Sequence, residues 1–336
     1  MKYKEKFEDS ATYKTTYLSG LEILIHKRER EAKAIRSVRA EKMIDDPERY
    51  RKELREMLGF PLCEEQRKSL PQTEWTRLSD EDGYTVYRLR IEIMEDLFMT
   101  GLYFRLNGEE NRPLVIVQHG GEGTPELISG VYGFTNNYHD MLMRVLNQGF
   151  HVFAPQLLLW KTERFGVPYD RTKIDARLKR VGSSITAVEV YGIMRIIDYF
   201  ESFDDITCFG MVGLSYGGFY TQMTAALDTR IRSAVSCSYF NERDRHAFID
   251  WTWRDSAYLF DDAEIALLTY PRNLHLAVGE RDELFNCEGA NASFAVLKEY
   301  CQTVGTDWVE FFTFDGTHEF FFDDATLRKF AEELKA

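Results

Sequence analysis

A serine flanked by glycines, in the run Gly213-Leu214-Ser215-Tyr216-Gly217-Gly218, is the residue best placed for covalent chemistry in this chain. The apolar stretch "CFGMV" precedes it and a helical pattern follows. That context predicts a sharp strand-to-helix turn. Such a turn needs small neighbours. It lifts the hydroxyl above the carboxyl ends of the strands and sets a helix N-terminus beneath it, where negative charge is favoured. A serine alone is a poor nucleophile. It needs a base to take its proton and a carboxylate to hold that base.

On a strand–turn–helix scaffold the partners follow in the order serine, acid, histidine. Of seven histidines only His246, His275 and His318 lie beyond Ser215. His275 sits inside the apolar run "LHLAVG" and is expected in packing. His246 lies in the charged segment "NERDRHAF". His318 follows the strand-like run "WVEFFTF" in the loop "DGTHEF", where a base is needed. The acid is expected after the preceding strand, in "GERDELF". Asp282 is the choice there, with Glu280 as its local competitor and Asp244 or Asp250 as competitors after an earlier strand.

Acyl transfer also needs donors for the oxyanion of the tetrahedral intermediate. The N–H of Tyr216, directly after the serine, supplies one. The loop "QHGGEGTPE" supplies the other, with Gly121 as the chosen residue. A phosphate loop is the rival reading of this stretch. It lacks the Lys-Ser/Thr ending and does not match GxGxxG.

Around these residues the period of the sequence changes once. Residues 1–75 are charged and rich in helix formers, as in "HKREREAKAIRSVRAEKMI". Asp46 and Pro47 open a second helix that Gly59 and Pro61 close. This is read as an N-terminal helical arm, with residues 76–336 as a catalytic domain. In "YTVYRLRIEI" apolar and polar residues alternate, which predicts a half-exposed strand; "LFMTGLYFRLNGE" is its expected antiparallel partner. Unalternating runs follow: "PLVIVQH", "FHVFAP", "ITCFGMVG", "IRSAVSCSY", "LHLAVG" and "WVEFFTF". Strands buried on both faces have this character. Helix-length stretches separate most of them, so the fold class is α/β, a mostly parallel central sheet with helices on both faces.

The 336 residues carry a net charge of −13, which argues against nucleic acid as a partner. The five cysteines have no metal-ligand spacing and are read as reduced thiols. Neither a leader-like N-terminus nor a membrane-length apolar run is present, so a cytoplasmic location is expected.

"QHGGEG", "GLSYGGF", "GERDELF" and "FDGTHEFFF" stand in the order and approximate spacing of the α/β-hydrolase superfamily. The chain resembles that superfamily from about residue 84 to its end. It is most similar to the branch of dienelactone-hydrolase-like proteins and acetyl-xylan-esterase-like carbohydrate esterases. "YRKELREMLGFPL" and "GSSITAVEVYGIMRIIDYF" also resemble segments of that branch. "GLSYGGF" resembles the prolyl-oligopeptidase family too. After "HVFAP" the chain departs from its relatives with "QLLLWKTERFG", which alters one wall of the pocket.

The resemblance implies a serine esterase acting through Ser215, His318 and Asp282, a small-molecule ester as substrate and no metal or organic cofactor. A carbohydrate acetyl ester is the implied substrate class. The alternatives are a serine peptidase of the prolyl-oligopeptidase type, for which the arm is too short to form a propeller, and a non-catalytic binding protein on the same fold. The arm is a candidate for a homo-oligomeric contact. The segment "YFNERDRHAFIDWTWRDSAYLF" reads as too polar for core and too aromatic for an ordinary loop. From it Trp251 and Trp253, with Trp160, are expected to line the substrate cavity.

Overall fold

A computed structural model of the protein describes residues 1–64, 69–108, 110–160, 167–246 and 248–336. Nine strands form one sheet: β1 (Thr73–Glu81), β2 (Tyr84–Met94), β3 (Leu97–Leu106), β4 (Arg112–Gln118), β5 (His151–Pro155), β6 (Ile206–Leu214), β7 (Ile231–Cys237), β8 (Asn273–Gly279) and β9 (Val309–Phe314). Their spatial order is β1-β2-β3-β5-β4-β6-β7-β8-β9. From β5 to β9 every neighbouring pair is parallel, whereas β1, β2 and β3 are joined antiparallel and β3 meets β5 antiparallel.

The helices are α1 (Asp9–Asp45), α2 (Pro47–Leu58), α3 (Pro125–Ile128), α4 (Met141–Leu146), α5 (Arg171–Lys179), α6 (Ile185–Phe200), α7 (Tyr216–Leu227), α8 (Ser256–Leu259), α9 (Asp262–Leu267), α10 (Cys287–Tyr300) and α11 (Ala325–Lys335). One face of the sheet packs on α6 and α7, through Ile193 and Phe219, and α2 and α9 pack against these helices, through Leu54 and Ile265. The other face packs on α4 and α11, through Leu142, Val145, Phe330 and Leu334. Strands covered on both sides have no solvent face to alternate with, which is why β4 to β8 read as continuous apolar runs.

The N-terminal region begins as read from its punctuation. Asp46 accepts a hydrogen bond from Arg49 N, Pro47 takes the first helical position, and Gly59 ends α2 at φ 92°. The first half of α1 is exposed. Its second half packs on α8 and α9, burying Ala32, Ala40 and Met43. There Arg36 donates to Ala257 O and pairs with Asp261 and Glu264. Strand β1 was not expected from the sequence. It begins at Thr73, inside the stretch read as arm, and pairs with β2 along its length.

Two arginines fasten α2 to the sheet-covering helices. Arg51, buried, donates from Nε to Ala226 O (3.0 Å) and from Nη2 to Leu268 O (2.9 Å). Arg55 donates to Leu227 O (2.9 Å). These carbonyls end α7 and α9, where helices leave acceptors unmatched and favour positive charge. Arg51→Met keeps the stem but takes the side-chain donor from Ala226 O and leaves Leu268 O to Arg272 alone (3.4 Å). It is expected to lower stability by about 1–3 kcal/mol in denaturant unfolding. An unchanged midpoint would show that water replaces the guanidinium without loss.

Candidate active site

Strand β6 ends at Leu214 and α7 starts at Tyr216, so Ser215 alone makes the turn. Its backbone has φ 60° and ψ −121°. A non-glycine residue held there is strained by about 1–3 kcal/mol. Ser215 N donates to Cys237 O (2.8 Å), and Ser215 O accepts from Phe219 N (2.9 Å). The neighbouring glycines are required by contact. A Cβ on Gly217 would lie 2.1 Å from Gln118 O, and one on Gly213 would lie 2.2 Å from Gly217 O.

Ser215 and His318 border one cavity of about 220 Å³. Gly120, Gly121, Glu122, Asn137, Tyr138 and Trp160 also line it. Ser215 is 5% exposed and Asp282 is 3% exposed. His318 Nδ1 lies 2.9 Å from Asp282 Oδ2. The other oxygen of Asp282 accepts from Leu284 N (2.9 Å) and Phe285 N (2.8 Å), which fixes the carboxylate. Asn137 Nδ2 donates to His318 O (2.9 Å), and the Phe285 ring stacks on the imidazole with centroids 5.7 Å apart.

The competitors stand elsewhere. Glu280 accepts from Thr313 on the surface. Asp250 pairs with Arg171 in the interior. Asp244 lines a different cavity, between α1 and the segment after β7. His275 is buried between Glu310 (3.0 Å) and Glu333 (2.8 Å). His246 packs on Phe285, and burial pushes its pKa down.

Gly120 N donates to the Tyr138 phenol (2.8 Å). Gly121 O accepts from Trp160 N (2.8 Å), and a Cβ on Gly121 would lie 2.8 Å from the Trp160 ring. The loop is therefore pinned at both glycines. His119, which sequence reasoning passed over, pins it a third time. Its Nδ1 meets Gly120 O (2.9 Å), while Nε2 accepts from Leu157 N (3.1 Å). An imidazole donating at one nitrogen and accepting at the other is neutral. Burial accordingly holds it down at about 4.

The tryptophans divide. Trp160 lines the Ser215 cavity. Trp251 and Trp253 are not among its lining residues, contrary to expectation. They are 2% and 5% exposed, and both rings stack on Phe219 of α7, with centroids 4.7 and 6.4 Å away. Tyr239, Phe240 and Phe260 are buried with them, so the segment read as too polar for core contributes core at its aromatic positions. Trp251 borders the separate cavity under α1, about 530 Å³. Of the divergent stretch after β5, residues 156–160 are described and 161–166 lie outside the described residues.

Among the described residues no cluster of His, Cys, Asp and Glu is arranged to hold a metal ion. No helix of the described residues is long and apolar enough to cross a membrane.

No known family profile matches the chain. Over 249 residues it is 28% identical to "Putative hydrolase YtaP" of Bacillus subtilis (strain 168), a match spanning 64% of this chain and 80% of that protein. A glucuronoyl esterase from Solibacter usitatus superposes with a TM-score of 0.64 at 15% identity, covering 86% of this chain and 92% of that one. Acetyl xylan esterase 1 from Thermoanaerobacterium sp. JW/SL YS485 superposes with a TM-score of 0.55 at 16% identity, covering 86% and 93%. The sheet order, the strained serine turn and these superpositions define the α/β-hydrolase fold.

The neutral His119 ties the site to pH. Its folded value, about 4, lies below the ordinary 6.5. Above 6.5 its contribution to stability is fully present. As pH falls from 6.5 toward 4 the unfolded chain takes up a proton that the native state refuses, and stability is lost. The slope from one such group approaches about 1.4 kcal/mol per pH unit. His151, held by burial at about 4, acts in the same sense. Urea unfolding at pH 7 and pH 5 is expected to show this loss, and His119→Gln should remove part of the difference, His151 and His246 keeping the rest, while lowering stability at pH 7. An equal slope in the variant would refute the assignment.

Proposed function

We propose that the protein is a serine hydrolase of carboxylic esters that works through a Ser215–His318–Asp282 triad and an acyl-enzyme. The observation that carries this reading is the strained Ser215, facing a small cavity bordered by an imidazole whose other nitrogen is held by a buried carboxylate. With Nδ1 turned to Asp282, Nε2 is the nitrogen available to the serine.

In this mechanism Ser215 Oγ attacks the ester carbonyl and His318 takes its proton. The carbonyl oxygen becomes an oxyanion bound by the N–H groups of Tyr216 and Gly121. The bond to the alcohol breaks, and the imidazolium protonates the leaving oxygen. Water, activated by the same imidazole, then attacks the acyl-enzyme and releases the acid, and Ser215 recovers its proton. Asp282 holds the imidazole in the tautomer this requires and stabilises its charged form.

The lining supports a substrate class. A cavity of about 220 Å³ suits a short acyl group. Trp160 offers a flat face to an alcohol moiety, while Asn136, Asn137 and Glu122 offer polar groups. That combination suits the ring and hydroxyls of a sugar. The likeness to an acetyl xylan esterase agrees with an acetylated carbohydrate as substrate.

Ser215→Ala is expected to reduce hydrolysis of p-nitrophenyl acetate by roughly a millionfold while leaving thermal unfolding nearly unchanged. His318→Ala should be comparable and Asp282→Asn somewhat milder. A fluorophosphonate should label wild-type Ser215, as read by peptide mass spectrometry. An Ala variant retaining a tenth of wild-type activity would sink the assignment. Faster cleavage of aminoacyl-nitroanilides than of esters would make the enzyme a peptidase.

A further inference from the structure

The two N–H groups of the oxyanion site come from different loops, one after β4 and one after β6. We infer that a single buried ion cluster centred on Arg171 sets the distance between them, and that Arg171, Asp250 and the Tyr216 phenol are positioning residues for transition-state stabilisation. The inference rests on the serine-hydrolase reading above.

Arg171, at the start of α5, is 6% exposed. Its guanidinium has five N–H donors, and each has a partner. Nε donates to Asp250 Oδ2 (2.7 Å). Nη1 donates to Leu158 O and to Glu189 Oε1 (3.2 Å). Nη2 donates to Glu189 Oε2 (3.0 Å) and to the Tyr220 phenol (2.8 Å). Glu189 in turn accepts from Leu158 N (3.1 Å) and from Tyr220. One residue thus joins α5, α6, α7, the turn at Ile249–Trp251 and the loop after β5.

From this cluster two arms reach the site. The first runs through Tyr216. Its phenol donates to Asp250 Oδ2 (3.0 Å), and the Arg171 guanidinium lies over its ring, 5.5 Å from the centroid. Tyr216 is also the residue whose backbone N–H faces the oxyanion, so holding the ring holds the donor. The second arm runs through Leu158, bonded to the cluster at both its N–H and its C=O. Two residues on, Trp160 N donates to Gly121 O (2.8 Å), and the Trp160 ring packs against Gly121. The Trp160 ring also meets the Tyr216 ring edge-on, with centroids 5.5 Å apart, which closes the circuit between the arms.

A buried ion cluster is weak evidence for stability, because desolvation offsets its attraction. It is well suited to fixing geometry. Its bonds are directional, and each missing partner leaves an unpaired charge. A lysine has three donors and cannot span the same set.

The test compares wild type with Tyr216→Phe, Asp250→Asn and Arg171→Lys. p-Nitrophenyl acetate serves as substrate, and an alkyl trifluoromethyl ketone serves as the oxyanion mimic. Tyr216→Phe deletes one hydroxyl, and Asp250→Asn keeps the side-chain shape, so both remain informative if Arg171→Lys does not fold. Each is expected to lower kcat about 10- to 100-fold, with KM within about threefold. Ketone affinity should fall by the same factor as kcat. The double variant Tyr216→Phe/Asp250→Asn should lose no more than the worse single one, since the phenol is tied to the cluster through Asp250. Arg51→Met, which destabilises α2 far from the site, should leave kcat and ketone affinity unchanged.

If kcat and ketone affinity stay within about twofold of wild type in both conservative variants, while wild-type Ser215 is labelled by a fluorophosphonate, the inference is overturned. It is equally overturned if the losses fall on KM or add in the double variant. If wild-type Ser215 is not labelled, the serine-hydrolase reading falls and takes the inference with it.

Discussion

The left-handed backbone at Ser215 is the constraint on which the rest of the structure depends. A serine at φ 60° is unfavourable, and the fold must over-determine it. It does so from three sides. The β6–β7 register brings Cys237 O to Ser215 N, α7 begins at once and takes up Ser215 O, and Gly217 presses against the end of β4 at Gln118 O. Two of these contacts, with Cys237 and Gln118, come from strands distant in sequence from the turn. The parallel order β4-β6-β7 at the middle of the sheet has to form before the serine can be held. The central strands are covered on both faces, as that demand requires.

The same logic governs the electrostatics. Few buried charges touch the reacting atoms. Asp282 faces the imidazole, while the Arg171–Glu189–Asp250 cluster lies behind Tyr216. The oxyanion donors of the proposed mechanism, the N–H groups of Tyr216 and Gly121, are neutral backbone groups. Dipoles fixed by a rigid surrounding need no reorganisation when charge develops, and that is where their advantage over water lies. His119 serves this end as a neutral hinge-pin, donating to one loop and accepting from another. A protonated imidazole could not accept from Leu157, so the neutral form is part of the architecture.

What the sequence disclosed and what it hid follow from the range of the signals. The turn at Ser215, the loop histidine and the acid after β8 were legible because each is tied to the end of an apolar run. The strand β1 was not. "TEWTRLSDE" is mostly exposed and has no clean alternation; it is a strand because β2 offers it an edge. Trp75 adds a hydrogen bond to Tyr199, far away in sequence. The cluster around Arg171 was hidden for the same reason. Arg171 stands in a segment that carries no motif and Glu189 in a stretch of helix length, and only the fold brings Asp250 between Arg171 and Tyr216. Chain order alone makes Asp250 a competitor for the histidine, whereas in the fold its partners are a guanidinium and a phenol.

The tryptophans show how a correct observation about composition can point to the wrong surface. An aromatic segment after β7 does emerge on the side of the sheet where Ser215 lies. Its indoles nevertheless turn toward α7, because Phe219 and Tyr239 offer a large apolar surface that must be covered. Polar neighbours such as Arg243 do not keep this segment at the surface. Arg243 lies over the Trp253 ring and pairs with the buried Asp262, so its charge is carried inward with the aromatics. Shaping of the Ser215 cavity then passes to residues nearer the chemistry, Trp160 and the polar groups between Glu122 and Tyr138. These sit on loops braced through Gly120 and Gly121 and by the cluster behind Tyr216. On the proposed serine-hydrolase reading, recognition and transition-state geometry share their supports, and a substitution that reshapes this cavity also acts on the donors beside it.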